Sequence, residues 1–384
     1  LEIPKVEISR LMRVPSEEIY YAVTMSASWR QWAGDWSDLD PRAGGRLYLW
    51  RAPNLYACGE FVALNPEQGV AFTWQERGEG LLLVEITWRV EAEGTRVTLS
   101  ATGEGAEASI DHFWQEALVD LQAVLETGSR APRRALLGLV DGEALTPQRA
   151  VEMGLPVTEG FYVVGVMEGV GVHAAGLRRE DVIVVLDGQP VTSMDSFPAI
   201  LEKRRPGETV PVVFYREGVE QQAEVKLFAR PVPDVPATAA ALAGAVRTVY
   251  EQQKVEMTDL LAGVSEGQAA VSGSGGWSVM QVLAHLITTE RASHVRVALL
   301  LAGQDVPGWS NDVDPWIDAV VESHGTLAGL RVAWRQAQAE TVALLGGLPA
   351  AFVGHKGDFA QLALMYLQEL PYHTRLHFDQ LRRA

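Results

Sequence analysis

Cysteine is almost missing from this chain: Cys58 is the only one in 384 residues. No internal disulfide can form, and a thiolate-rich metal site is excluded. Lysine is nearly as scarce, five residues against 27 arginines, a bias that follows genome composition or heat tolerance more than function. Long apolar runs are missing too. Stretches such as GLLLVEI and VALLLAG fall far short of the roughly 20 residues that a membrane-spanning helix needs. No segment reads as a signal peptide, so the expected compartment is the cytoplasm, with no membrane partner. Finally, no part of the chain has an excess of positive charge. Residues 1–128 hold 10 basic and 20 acidic side chains, 129–232 hold 12 and 14, and the rest 10 and 15, which gives the net −17. A phosphate-binding face needs the opposite balance, so nucleic acid is excluded as an expected partner.

What is present is an ordinary globular composition, 47% hydrophobic and 21% charged, in a chain long enough for two or three domains. Two stretches rich in proline, glycine and small residues punctuate it, ETGSRAPRRA (126–135) and ARPVPDVPATAA (229–240), as short stiff linkers do. The texture changes across each. The expectation is a multidomain α+β protein with segments 1–128, 130–230 and 237–384.

The first segment alternates like strands over GGRLYLWR, YACGEFVALN, VAFTWQER, LLLVEITWRVE and TRVTLSATG. It closes on SIDHFWQEALVDLQAVLE, where Ile110, Phe113, Trp114, Ala117, Leu118, Leu121, Val124 and Leu125 share one helical face. Through ASWRQWAGDW, DPRAGGRLYLW, ALNPEQGVAFTW and GTRVTLSATG, it resembles the SRPBCC superfamily of START-like helix-grip domains. Within that superfamily it resembles the family named for activators of the heat-shock-protein-90 ATPase. The resemblance implies a curved antiparallel sheet around the last helix, with a cavity for a small apolar ligand. Trp32, Trp50, Trp74 and Trp88 are the candidate lining of that pocket.

The middle segment contains AAGLRREDVIVVLDGQPV between GFYVVGVMEGVGVH and RRPGETVPVVFYREG. It resembles a PDZ domain of the HtrA-protease type, a β-sandwich or barrel-like fold. The resemblance implies that Leu136, Leu137, Gly138 and Leu139 offer backbone N–H groups to the terminal carboxylate of a partner's peptide, which adds as a strand to the sheet edge. Asp181 is expected as a structural acid, and Arg133 and Arg134 are basic linker residues that could assist the carboxylate. Neither GxSxG nor GNSGG occurs in the first segment, so the chain is not expected to be an HtrA protease.

The last segment shows apolar spacings of three and four over roughly 238–262, 278–302, 325–346 and 359–382, expected as an all-α four-helix up-and-down bundle. Pro371 is expected to kink the last helix. His373 and His377, four apart in LPYHTRLHFDQL, project from one helical face. His285, in WSVMQVLAHL, would join them from a second helix. Three neutral imidazoles suit a divalent transition metal, zinc or nickel, and leave a coordination position open. Thr374 rules out the HExxH zinc-protease motif. The WS…VLAHL piece and the two histidines before FDQL resemble the DinB/YfiT-like family of metal-binding bundles, in which those three histidines would be the ligands. Glu369, one turn earlier, is a candidate partner or further ligand. The expected function is a ligand- and peptide-binding protein with a metal site. The alternative is a metal-dependent, possibly thiol-dependent, transferase or isomerase acting through the bundle.

Overall fold

The computed structural model describes residues 4–51, 55–129, 135–201, 204–229, 234–272, 276–304 and 314–383. Their contacts divide the chain into two compact units, Leu1–Arg130 with Pro233–Ala384, and Ala131–Val232.

The first segment runs β1 (Lys5–Met12), α1 (Ser16–Thr24), α2 (Ser26–Trp32), β2 (Trp36–Leu39), β3 (Arg46–Arg51), β4 (Leu55–Asn65), β5 (Gly69–Glu76), β6 (Leu82–Glu91), β7 (Gly94–Thr102), α3 (Ala106–Ser109) and α4 (Gln115–Thr127). A π-helical turn, Ile110–Trp114, joins α3 to α4. The strands form one antiparallel sheet in the order β1-β7-β6-β5-β4-β3-β2. Alternation turns Val70, Phe72 and Trp74 of β5 inward, opposite the apolar face of α4. Trp29, Phe72, Trp74, Phe113 and Trp114 meet between sheet and helix, with neighbouring ring centroids 4.8–6.5 Å apart. Inward alternation thus packs ring on ring between sheet and helix.

The middle segment holds β8 (Leu139–Ala144), α5 (Pro147–Glu152), β9 (Phe161–Val166), α6 (Gly171–Ala174), β10 (Val182–Leu186), β11 (Gln189–Pro190), α7 (Ser196–Leu201), β12 (Thr209–Arg216) and β13 (Val219–Lys226). Its sheet order is β13-β12-β10-β9-β8, with β11 paired to β10, so β8 forms one edge. Phe161, Val163, Ile183, Leu186, Val212 and Val225 make the core. Asp181 is 1% exposed. It accepts from the Arg216 guanidinium at 2.7 and 2.8 Å and from the backbone N–H of Arg178 at 2.8 Å. A buried carboxylate is tolerated on those terms.

The last segment consists of α8 (Ala239–Leu260), α9 (Glu266–Ala269), α10 (Val279–Leu301), α11 (Asp314–His324), α12 (Leu327–Gly346), α13 (Ala350–Gly354), α14 (Lys356–Leu364) and α15 (Leu370–Arg383). Ser278 starts α10 with a capping box, reciprocated by Gln281. Pro371 has no N–H to give to the preceding turn, and the residues just ahead, Met365–Glu369, form a π-helical turn. The widened turn lets the helix pass the proline.

Two apolar clusters fill the helical segment. One includes Leu242, Val246, Val297, Leu345, Phe352 and Leu362, and the other Leu283, Ile287, Ile317, Leu330, Trp334 and Phe378. The last segment also joins the first. Tyr21 donates from its hydroxyl to Asp358 at 2.6 Å, Gln31 donates to the same carboxylate, and the His355 ring stacks on Tyr21 with centroids 3.6 Å apart. Glu18 pairs with His355 Nδ1 at 2.9 Å. A Cβ at Gly357 would run into the Gln31 amide and Val124 Cγ1, so a larger residue there would have to displace Gln31 from its bond to Asp358.

Candidate functional site

His285 sits on α10 and His373 and His377 on α15, one turn apart. Their rings converge. His373 Nε2 is 3.1 Å from His285 Nε2 and 3.2 Å from His377 Nε2. A tetrahedral ion with bonds of roughly 2.0–2.1 Å spaces its nitrogen ligands about 3.3 Å apart; two of the three pairs already stand near that spacing, and all three ligand atoms lie within 4.8 Å of one another. All three histidines are partly buried, and among the described residues they form the one group of histidine, cysteine or acidic side chains near enough to hold an ion. Glu369 is not part of it.

Electrostatics keep the cluster neutral. Burial, and then the repulsion that a charged His377 and His373 would exert, pushes His285 down to about 3. Burial and His377 push His373 down to about 4. Burial also lowers His377, against the opposing hydrogen bond to Gln380. Neutral imidazole is the form that ligates metals. His377 Nδ1 lies 3.0 Å from Gln380 Oε1. The Nδ1 atoms of His285 and His373 are buried with no hydrogen-bond partner among the described residues. Trp277 packs against His285 with ring centroids 4.8 Å apart and against His377 at 6.0 Å.

A second polar group lies deeper. Glu290 of α10, 5% exposed, accepts from the Tyr250 hydroxyl at 2.9 Å and from Thr341 Oγ1 at 2.8 Å. His294 Nε2 stands 2.7 Å from the same threonine oxygen. Sequence reasoning passed over Glu290, although Leu283, Ile287, Glu290, Val297 and Leu300 follow one buried stripe of the helix. An acid on an apolar stripe is the signal that could have found it.

In the middle segment, Gly138 has φ +86°, a conformation that favours glycine. The carbonyls of Leu137 and Gly138 accept from Val172 and Met167 at 2.7 Å each. These bonds pin the loop while the amide protons of Leu137 and Gly138 find no acceptor among the described residues. Leu136 pairs with Phe228, and Leu139 begins the edge strand β8. The four loop residues therefore run straight into the sheet edge. Arg133 and Arg134 lie outside the described residues.

The four tryptophans are distributed differently. Trp32 and Trp74 are fully buried core residues, and Trp88 is nearly so, with Tyr20 edge-on at 6.2 Å. Only Trp50 of the four lines the cavity of about 630 Å³ that it shares with Tyr56, Cys58, Gln75, Glu76, Arg77 and Gly78. Tyr56 and Cys58 face outward from the sheet beside Trp50, as the pairings Trp50–Tyr56 and Tyr48–Cys58 dictate.

Comparison with known proteins identifies two of the segments. Residues 13–126 match the family described as Activator of Hsp90 ATPase homolog 1-like protein, and residues 141–227 match the PDZ domain. The serine protease Do-like HtrA of Lactococcus lactis subsp. cremoris is 34% identical over 113 residues, 29% of this chain and 28% of that protein. The magnetosome formation protease MamE of Magnetospirillum gryphiswaldense is 33% identical over 135 residues, 33% of this chain and 17% of that protein. The chain thus spans less than a third of the length of these relatives. Among solved structures, an HSP90 activator from Plasmodium falciparum aligns at 19% identity over 32% of this chain and 95% of its own, TM-score 0.28. An HtrA-type protease, AlgW, with a decapeptide aligns at 24% over 47% and 56%, also with TM-score 0.28. No helix among the described residues is long and apolar enough to cross a membrane. One polypeptide thus joins a domain of the Activator of Hsp90 ATPase homolog 1-like kind to a PDZ domain, and continues into helices that neither match reaches.

Proposed function

We propose that this chain is a binding protein of three parts. Its PDZ domain takes the free C-terminus of a partner's peptide, its START-like domain takes a small apolar ligand, and a DinB-like bundle holds one divalent transition metal ion, zinc or nickel. His285, His373 and His377 would be the ligands of that ion. The observation behind this reading is the convergence of three neutral Nε2 atoms at 3.1 and 3.2 Å. Lone pairs crowded this closely favour a cation between them, and acid-resistant neutrality makes a proton a poor substitute. For the PDZ domain, support comes from the amide protons of Leu137 and Gly138 and the edge position of β8, which together suit a carboxylate and an added strand. For the START-like domain, support is limited to the family match and to three buried indole N–H groups, those of Trp29, Trp88 and Trp114, that find no acceptor among the described residues.

The three-ligand count favours one further reading. An ion on three imidazoles has a position open, where it could lower the pKa of a bound water or thiol, the chemistry a metal-dependent transferase or isomerase uses. Calorimetric titration of zinc into the chelator-treated chain tests the site common to both readings. One ion per chain is expected, with binding abolished in His373→Ala. A wild-type chain that takes up no zinc or nickel would end both. A thiol-transfer assay on the loaded chain then separates binding protein from enzyme.

A further inference from the structure

We infer that Trp277 and Gln380 are positioning residues that set the ring planes and the tautomer of the histidine cluster, an inference whose use rests on the metal reading above. An imidazole can ligate through Nε2 only if its proton sits on Nδ1, and metal sites usually fix that arrangement with an acceptor at Nδ1. Among the described residues only His377 has one: Gln380 Oε1, at 3.0 Å. Accepting the Nδ1 proton leaves the Nε2 lone pair of His377 facing the other two rings. Gln380 is three residues on along α15, where side chains of one face meet. Its amide nitrogen occupies space beside Gly276, where a Cβ would approach it to 3.3 Å.

Among the described residues His285 and His373 have no such acceptor, so packing holds their ring planes. The Trp277 indole lies against His285 at 4.8 Å with 44° between planes and nearly parallel to His377 at 6.0 Å and 19°. The indole is itself fixed. Its Nε1–H reaches Asp314 Oδ1 at 3.2 Å at the start of α11, and Gln281 donates to Asp318 of the same helix at 3.2 Å. The next residue, Ser278, is locked in the capping box. His373 then packs against both rings that Trp277 orients, 5.0 Å from His285 and 4.7 Å from His377, which are themselves 4.7 Å apart. Trp277 thus supplies by contact the orientation that hydrogen bonds supply elsewhere.

Two readouts on the full chain test this. For zinc, Trp277→Ala and Gln380→Ala should each weaken binding by about 10- to 100-fold, the usual effect of losing a group that orients a ligand. Trp277→Phe and Gln380→Glu should recover most of it, since a ring and an acceptor are restored. Without metal, long-range ¹H–¹⁵N spectra of histidine-labelled protein should show His377 with its proton on Nδ1. That signature should become a tautomer mixture in Gln380→Ala and return in Gln380→Glu. Unchanged tautomers in Gln380→Ala, or zinc affinity unmoved in a folded Trp277→Ala chain, would overturn the assignment. If the wild type binds no zinc, the metal reading fails by itself; the metal-free spectra still decide the role of Gln380, and for Trp277 an unchanged His377 tautomer in a folded Trp277→Ala chain would overturn its role.

Discussion

Glu290 places a carboxyl where charge is expensive, and the protein responds by moving its titration. Burial pushes it up to about 7, while the hydrogen bonds from Thr341 and Tyr250 pull the other way. Its folded value lies above the ordinary 4.5, so the folded chain holds the proton more tightly than the unfolded chain does. The stabilisation is full below pH 4.5 and is lost as pH rises through about 7, a change on the order of 3 kcal/mol. Glu290→Gln keeps the shape and removes the titration. We expect parent and variant to melt together near pH 5 and the variant to melt higher at pH 8, and parallel melting curves across that range would contradict the account. The histidine cluster works with the opposite sign. Its values are lowered, so the stability of the metal-free chain is fully present above pH 6.5 and drains away as pH falls toward 3–4. Bound zinc competes with those protons, so zinc should raise the melting temperature and its effect should vanish in acid. A zinc effect that grows as pH falls would refute the competition. At this scale the sequence was informative where spacing encodes geometry. The four-residue step from His373 to His377 put two rings on one face, but nothing local says that Trp277 would lie on them, because that contact depends on where two helices end.

Among the elements, the edge strand β8 and the loop before it bear most directly on function. The proposed use of this loop as a carboxylate nest predicts that peptides with a free C-terminus bind and amidated peptides do not, with equal binding as the contrary result. Gly138→Ala should reduce that binding. A Cβ there lies 3.3 Å from the Phe228 ring on a backbone with φ +86°, which costs a non-glycine residue on the order of 1 kcal/mol. The glycine and its loop were legible from the PDZ-like pattern, because turn chemistry leaves a residue-level mark. Other elements were not. Pro371 signalled a disturbed helix, yet whether the chain kinks or widens into a π turn is decided by what packs around it. Helix α11, Asp314–His324, escaped notice because its apolar stripe is short. A tryptophan on a strand reads as core more readily than as pocket lining, and Trp74 packs against Phe113 and Trp114.

At the scale of the whole molecule, the first and last segments share one compact unit although about a hundred residues of PDZ domain separate them in sequence. The linkers were visible as composition, but the junction was not, because Tyr21, Gln31 and Asp358 become neighbours only on folding. Asp358 is 1% exposed and serves both Tyr21 and Gln31. Cutting the chain in both linkers should therefore free the middle domain and leave the other two fragments associated. Asp358→Ala leaves two half-buried donors, Tyr21 and Gln31, without their acceptor, at a cost of about 1 kcal/mol or more, and should let the two fragments part on a sizing column. Fragments that separate without the substitution would count against the junction. The central claim, that one ion is held by His285, His373 and His377, is tested most directly by native mass spectrometry of the intact chain after exposure to zinc and desalting. The account predicts a mass increased by one zinc ion per chain, and no such increase for His373→Ala. A wild-type chain that keeps no ion, or a His373→Ala chain that keeps one equally well, would contradict it.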